Sequence, residues 1–179
     1  MNTTRTRRQR GLTLVEAAIT VAVAAVLVGA VAPSFQASIE RRRVEGAAAQ
    51  LETDLQFARS LAVARNQSLR VSFSESGNAS CYVIHTGNAG DCVCGSEGPA
   101  TCSNGAQSLR TVQFGTATRT RVQSNSRSML FDPQKGTVTP TGTIEVAGAG
   151  GASLHEVVNI MGRVRSCSPG SAMPGYRAC

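Results

Sequence analysis

From Leu12 to Val31 the chain reads LTLVEAAITVAVAAVLVGAV, an apolar run interrupted by a single charge, Glu16. At 1.5 Å of rise per residue, about twenty apolar residues match a hydrocarbon core of roughly 30 Å. Pro33, following Gly29, is expected to kink the helix. A second pattern then begins. Val44, Ala48, Leu51, Leu55, Ala58 and Ala62 recur at alternating intervals of four and three, one stripe of an amphipathic helix. Glu40, Arg43, Gln50, Asp54 and Arg65 are placed on the opposite, solvated side. One long helix is therefore predicted over 12–65, with 12–31 crossing a membrane or lining a filament core and the remainder packing on a domain.

After Asn66 the period shortens. Leu69–Ser74, Cys81–His85, Leu109–Phe114, Thr118–Gln123, Met129–Phe131, Thr143–Val146, Glu156–Met161 and Arg163–Cys167 read as short strands separated by Gly, Asn, Ser and Pro. Several alternate strictly, as in Arg70-Val71-Ser72-Phe73. The expected fold class is α+β: a long N-terminal transmembrane or filament helix, then a mostly antiparallel β globular domain over 66–179. Gly148–Gly151 reads as a flexible turn. Gly87–Gln107 is a long loop of the kind that is usually functional, disordered or stapled, and with three of the six cysteines it reads as stapled.

Charge changes this picture only locally. The net charge is +7, but Arg5, Arg7, Arg8 and Arg10 precede the apolar run. Setting them aside leaves fourteen basic against eleven acidic side chains, a balance of +3. Residues 1–11, MNTTRTRRQRG, thus form a basic leader that favours the cytoplasmic side, although Arg41-Arg42-Arg43 beyond the run weakens that asymmetry. Aromatic residues make up 4% with no Trp, which disfavours stacking platforms. The two histidines, His85 and His155, have no evident relay partners, and G-x-S-x-G, H-E-x-x-H and phosphate-loop patterns are missing. No enzyme, cofactor or metal site is expected.

The junction Arg10-Gly11-Leu12-Thr13-Leu14-Val15-Glu16 resembles the class III signal of type IV pilins and type II secretion pseudopilins. The resemblance implies cleavage by a prepilin peptidase between Gly11 and Leu12, followed by methylation of the new amine. The family usually has Phe at the first mature position, where this chain has Leu12. It further implies an assembly role for Glu16. A carboxylate within a bilayer costs roughly 3 kcal/mol, and the amine of a neighbouring subunit can supply its counter-charge. The implied location is the bacterial inner membrane, single-pass, with a periplasmic globular domain, and later an extracellular pilus of pilin or pseudopilin subunits.

Two further segments extend the resemblance. Phe131-Asp132-Pro133, Gly136–Pro140 and Gly142-Thr143-Ile144 are similar to the globular domain shared by GspH-type pseudopilins and FimT-type minor pilins. Gly162-Arg163-Val164-Arg165, before Cys167, resembles the Gly-Arg-x-Arg motif of FimT-type minor pilins, which bind DNA in natural transformation. By that resemblance Arg163 and Arg165 are DNA contacts, and Arg177 joins them in an acid-free tail. Residues i and i+2 of a strand point the same way, about 6.6 Å apart, so two guanidinium groups can each fork onto a phosphate. The competing readings are an ion pair with Glu156, or a GspH-type pseudopilin or structural tip subunit without DNA binding. A second acid-free stretch holds Arg110, Arg119, Arg121 and Arg127. Export favours disulfides over zinc for Cys81, Cys92, Cys94, Cys102, Cys167 and Cys179. Cys167–Cys179 is the favoured pair, closing the tail, and the other four are left unassigned.

The leader generates a direct test. The apolar run exceeds the 7–15 residues of an ordinary secretory signal, and Pro33 hinders a cut after Ala30-Val31-Ala32. Intact mass of the mature protein should therefore begin at Leu12 with an N-methyl group, and a start at Pro33 excludes pilin-type processing.

Overall fold

A computed structural model describes residues 13–77, 79–95, 98–115, 117–171 and 173–179, without the side chains of 30–33 and 171. The leader, with Gly11 and Leu12, lies outside the described residues. The first element is α1 (Leu14–Arg65). Thr13 starts it: the Thr13 Oγ1 accepts the Glu16 backbone N–H at 3.3 Å, and the Thr13 carbonyl accepts from Ala17 at 3.1 Å. Glu16 is thereby the acid of a T-x-x-E cap, where its charge complements the helix dipole. The backbone remains helical through position 33, on both sides of the expected kink.

The chain divides into two compact units, Met1–Ser38 and Ile39–Cys179. The described side chains of the first are exposed, Leu14, Val15, Ile19, Val26 and Phe35 among them. α1 is long and apolar enough to cross a membrane by length and composition.

In the second unit, strands β1 (Leu69–Ser76), β2 (Ala79–His85), β5 (Ser108–Phe114), β7 (Ser128–Phe131) and β8 (Val138–Thr139) form an antiparallel sheet in the order β5-β2-β1-β7-β8. Strands β6 (Thr120–Ser124), β9 (Gly142–Gly148), β10 (Ser153–Val158) and β11 (Val164–Cys167) form another, in the order β11-β10-β9-β6. A two-stranded ribbon, β3 (Cys92–Val93) with β4 (Thr101–Cys102), lies inside the long loop. The predicted strand over 156–161 is displaced: pairing ends at Val158, because Asn159–Gly162 makes a hydrogen-bonded turn.

Val44, Ala48, Leu51, Leu55, Ala58 and Ala62 of α1 are buried in one core with Leu69, Tyr82 and Phe131 from the five-stranded sheet and Ile144, Leu154 and Val158 from the four-stranded one. Asp54 departs from the expected solvated side. It is 1% exposed, accepts the Tyr82 hydroxyl at 2.7 Å and pairs with Arg110 at 2.5 Å. The carboxylate reaches a phenol donor on β2 and a cation on β5, which satisfies a charge that burial alone would penalise. Burial and the Asp54 carboxylate together push the Tyr82 hydroxyl pKa upward.

All residues of β2 from Ser80 to His85 are buried, because both its faces are covered. Tyr82 and Ile84 meet α1's core; Cys81 and Val83 join a second cluster with Cys92 and Cys94. Bridges Cys81–Cys94 and Cys92–Cys102 hold the loop there. Asp91 tightens it by accepting from Asn88 N–H at 2.6 Å and Asn104 Nδ2 at 2.9 Å.

Asp54→Ala removes the acceptor for both Tyr82 and Arg110, and should cost about 2–4 kcal/mol in urea unfolding of the detergent-solubilised chain. Asp54→Asn keeps an acceptor for Tyr82 and should cost less. Equal costs would show that the phenol contact contributes nothing.

Candidate nucleic-acid interface

The arginine motif lies where β10 turns into β11, an edge strand. The Asn159 carbonyl accepts the Gly162 N–H at 2.9 Å, the Arg163 carbonyl accepts the Asn159 N–H at 3.1 Å, and Asn159 Oδ1 accepts the Arg163 N–H at 2.9 Å. The three loop residues Ile160, Met161 and Gly162 close the hairpin, with Gly162 at φ 69°. Glycine is required here twice. The positive φ strains other residues, and a Cβ at Gly162 would stand 2.9 Å from Arg59 Cδ and 3.3 Å from the Gly136 carbonyl. Gln56 Nε2 donates to the Gly162 carbonyl at 3.3 Å, and Arg59 Nε to the Gly136 carbonyl at 2.9 Å. Two polar side chains of α1 thus brace the turn that precedes the arginines.

Beyond the turn, Arg163 and Arg165 are exposed while Val164, 9% exposed, points into the core. Two cations consequently share the outer face. Glu156 is in register with Ser166, whereas Arg165 is in register with Val157, so acid and arginine occupy opposite faces of the sheet. The Glu156–arginine ion pair considered from sequence does not form. Glu156 is 0% exposed and accepts the Ser166 hydroxyl at 3.0 Å through Oε2, while Oε1 has no partner. Burial, with a smaller push from the Glu52 charge, raises its pKa to about 7. Below neutral pH the carboxyl is increasingly protonated and subtracts less from the positive field above it.

Cys167 and Cys179 are bonded, with Cα atoms 5.0 Å apart. The tail returns alongside the strand end: Ser168 N–H donates to the Arg177 carbonyl at 2.8 Å, and Cys179 N–H to the Ser168 carbonyl at 3.3 Å. The backbone of Arg177 is thereby held three residues past Arg165, about 10 Å along the strand. Arg177 is exposed.

Lys135, the only lysine of the chain, lies next to Gly136, whose carbonyl faces Gly162. Its turn is held by Asp132 Oδ1, which accepts from the Gln134 and Lys135 N–H groups at 2.9 and 2.8 Å. Lys135 is exposed and adds a cation beside the hairpin. The other acid-free stretch separates: Arg110 is committed to Asp54, whereas Arg119 and Arg121 are exposed on and beside β6, the far edge of the same sheet.

Two family descriptions match the chain. Prokaryotic N-terminal methylation motif covers residues 6–32, and type II transport protein GspH covers residues 47–162. The chain belongs to the GspH family. Comparison with curated proteins gives no match. Among solved structures, the type IV minor pilin FimU of Pseudomonas aeruginosa PAO1 is similar in two crystal forms. One has a TM-score of 0.54 at 20% identity, covering 74% of this chain and 97% of that one. The other has a TM-score of 0.50 at 19% identity, covering 72% and 98%. At such identities the likeness is one of fold: a long N-terminal helix and a mostly antiparallel β domain.

As a GspH-family member with an N-terminal methylation motif, the chain is a pilin-like subunit, a class that is processed at that motif and associates with other pilin subunits. The GspH match ends at Gly162, so Arg163, Arg165, Arg177 and the Cys167–Cys179 bridge lie beyond it. Sequence reading missed Gln56, Arg59 and Lys135, because the contacts joining them to Gly162 cross long sequence separations and no local pattern marks them. His85, seen from sequence without a relay partner, is fully buried. Its Nε2 is 2.8 Å from Ser72 Oγ and its Nδ1 is 2.8 Å from the Thr86 carbonyl. Burial lowers its pKa, so the ring is a neutral link inside the sheet.

Glu156 provides a pH test. Its folded pKa, about 7, stands above its ordinary 4.5. The folded state therefore holds a proton that the unfolded chain releases, and stability falls as pH rises between these values. Glu156→Gln should match wild type near pH 4.5 and exceed it by roughly 2–3 kcal/mol at pH 8 in urea unfolding. A difference independent of pH would show that Glu156 is ionised in the fold.

Proposed function

We propose that this pilin-like subunit binds extracellular DNA for uptake in natural transformation, through phosphate contacts from Arg163 and Arg165 with Arg177 adding to the field. The observation that carries this reading is the exposed–buried–exposed alternation of Arg163-Val164-Arg165 on an edge strand. It follows a turn that Asn159 and α1 hold rigid, with the nearest sheet acid turned to the other face. Two planar cations pre-aimed from a stiff strand lose little freedom on meeting a phosphate backbone. Such contacts position the polymer without reading its sequence.

Under this reading a prepilin peptidase cuts between Gly11 and Leu12. The chain waits in the inner membrane as a single-pass protein with a periplasmic domain, and then joins a filament. There Glu16 meets the amine of a neighbouring subunit. A second reading, a GspH-type pseudopilin or structural tip subunit of type II secretion or pilus assembly without DNA binding, is favoured by one observation: the family match stops before the arginines.

Replacing Arg163 and Arg165 together by Gln separates the two. Anisotropy titrations of a labelled duplex with the detergent-solubilised chain should show weak binding that falls with salt, each phosphate contact adding about 0.9 to the log–log slope. The double variant should bind every sequence more weakly and flatten that slope by about 2. Its stability should stay within about 0.5 kcal/mol of wild type, since both side chains are exposed. In cells it should lower DNA uptake with filaments still assembled. Binding equal to wild type at low salt removes these residues from the site, and no wild-type binding at low salt leaves the structural reading.

A further inference from the structure

The corner of the β10–β11 hairpin is apolar where turns are ordinarily polar. Ile160 and Met161 occupy the two central positions between the Asn159 carbonyl and the Gly162 N–H it accepts, positions at which Pro, Asn, Asp and Ser are common. Both are open to solvent, at 58% and 57%. The corner is not loose: the Ile160 carbonyl accepts the Val138 N–H at 2.9 Å, tying it to β8. Cations flank it, Arg163 directly in sequence, Arg165 two residues further, and Lys135 through the Gly136–Gly162 contact. Of the acids around it, Asp132 accepts the N–H groups of its own turn and Glu156 lies beneath the sheet, while Glu145 of β9 shares the outer face two strands in from β11. A rigid aliphatic knuckle ringed by positive charge suits a ligand that carries flat apolar faces between phosphates.

We infer that Ile160 and Met161 contact nucleobases, so that this site prefers DNA with unpaired bases to an intact duplex of the same length. This rests on the DNA-binding reading above and gives it a substrate class: single strands, overhangs and frayed ends. The energetic cost of reaching a base separates the two forms of DNA. Apolar wedges enter a duplex only by unstacking a base step, and the proteins that do so recover that cost from extensive wrapping contacts. Two to four phosphate contacts at one hairpin offer no such compensation. In a single strand the bases are already accessible, and the knuckle gains its burial without opening a helix. Phosphate contacts alone predict the opposite order, since a duplex carries the higher charge density and the steeper salt dependence.

The test compares a single-stranded oligonucleotide with its own duplex, each titrated against the detergent-solubilised full chain at several salt concentrations. Wild type should bind the single strand about five- to tenfold more tightly. Ile160→Ser with Met161→Ser should abolish that preference while retaining the salt slope on the duplex. Ile160→Leu with Met161→Leu should keep it. Unchanged thermal midpoints check that the fold is intact. If wild type binds both DNAs and favours the duplex, or if the serine pair leaves the ratio unaltered, the inference is overturned. It is overturned too if the serine pair binds both DNAs as wild type does but no longer co-purifies with the filament subunits, since the corner is then a protein contact. If wild type binds neither DNA at low salt, the DNA-binding reading fails first and this inference falls with it.

Discussion

Everything in the β domain depends on one stripe of α1 being buried from two directions. Between Val44 and Ala62 the helix presents small and branched apolar residues that share one core with residues of a five-stranded and a four-stranded sheet. Alanine at 47, 48, 58 and 62 keeps the backbones close. Leu51 and Leu55 fill the space between. The helix also contributes polar anchors. Asp54 takes the Tyr82 hydroxyl and Arg110, Glu40 accepts the Gly150 N–H, and Gln56 and Arg59 hold the glycine turns. Apolar burial supplies the attraction, which has no direction of its own. The hydrogen bonds set the register in which α1 sits against the strands.

The same arrangement explains how the arginine hairpin is presented. A two-residue charge motif on a flexible loop would lose affinity to ordering. Here the Gly162 carbonyl is held by the Gln56 amide, a Cβ at that position would meet Arg59 and the Gly136 carbonyl, and Val164 is seated in the core. The cations are therefore outward by construction, and the helix is a positioning element for them.

Much of this is legible in the sequence because periodicity reports faces. The 4-3-4 spacing marks the α1 stripe, the Gly and Pro punctuation separates the strands, and the alternation in Arg163-Val164-Arg165 gives their orientation. Asp54 escapes such a reading because the pattern places a residue on a face but does not reveal partners that reach that face, here Tyr82 and Arg110. The strand expected over 156–161 runs through Ile160 and Met161 because their side chains look like strand residues, although Asn159 and Gly162 carry the turn signal. The pairings of Cys81 with Cys94 and Cys92 with Cys102 depend on which strand face the loop covers, which spacing alone leaves open among many connectivities. The bracing of Gly162 by α1 has no local signature at all.

The second cluster behind β2 has a consequence for when this protein can become itself. Val83 is buried with Cys81, Cys92 and Cys94 beneath a loop that Cys81–Cys94 ties to β2 and Cys92–Cys102 closes on itself, and these cysteines all follow the apolar segment in the chain. In a reducing compartment those bridges do not persist, and the outer face of the central strand stays uncovered. The sulfur bridges thus make the covering of that strand conditional on oxidising surroundings.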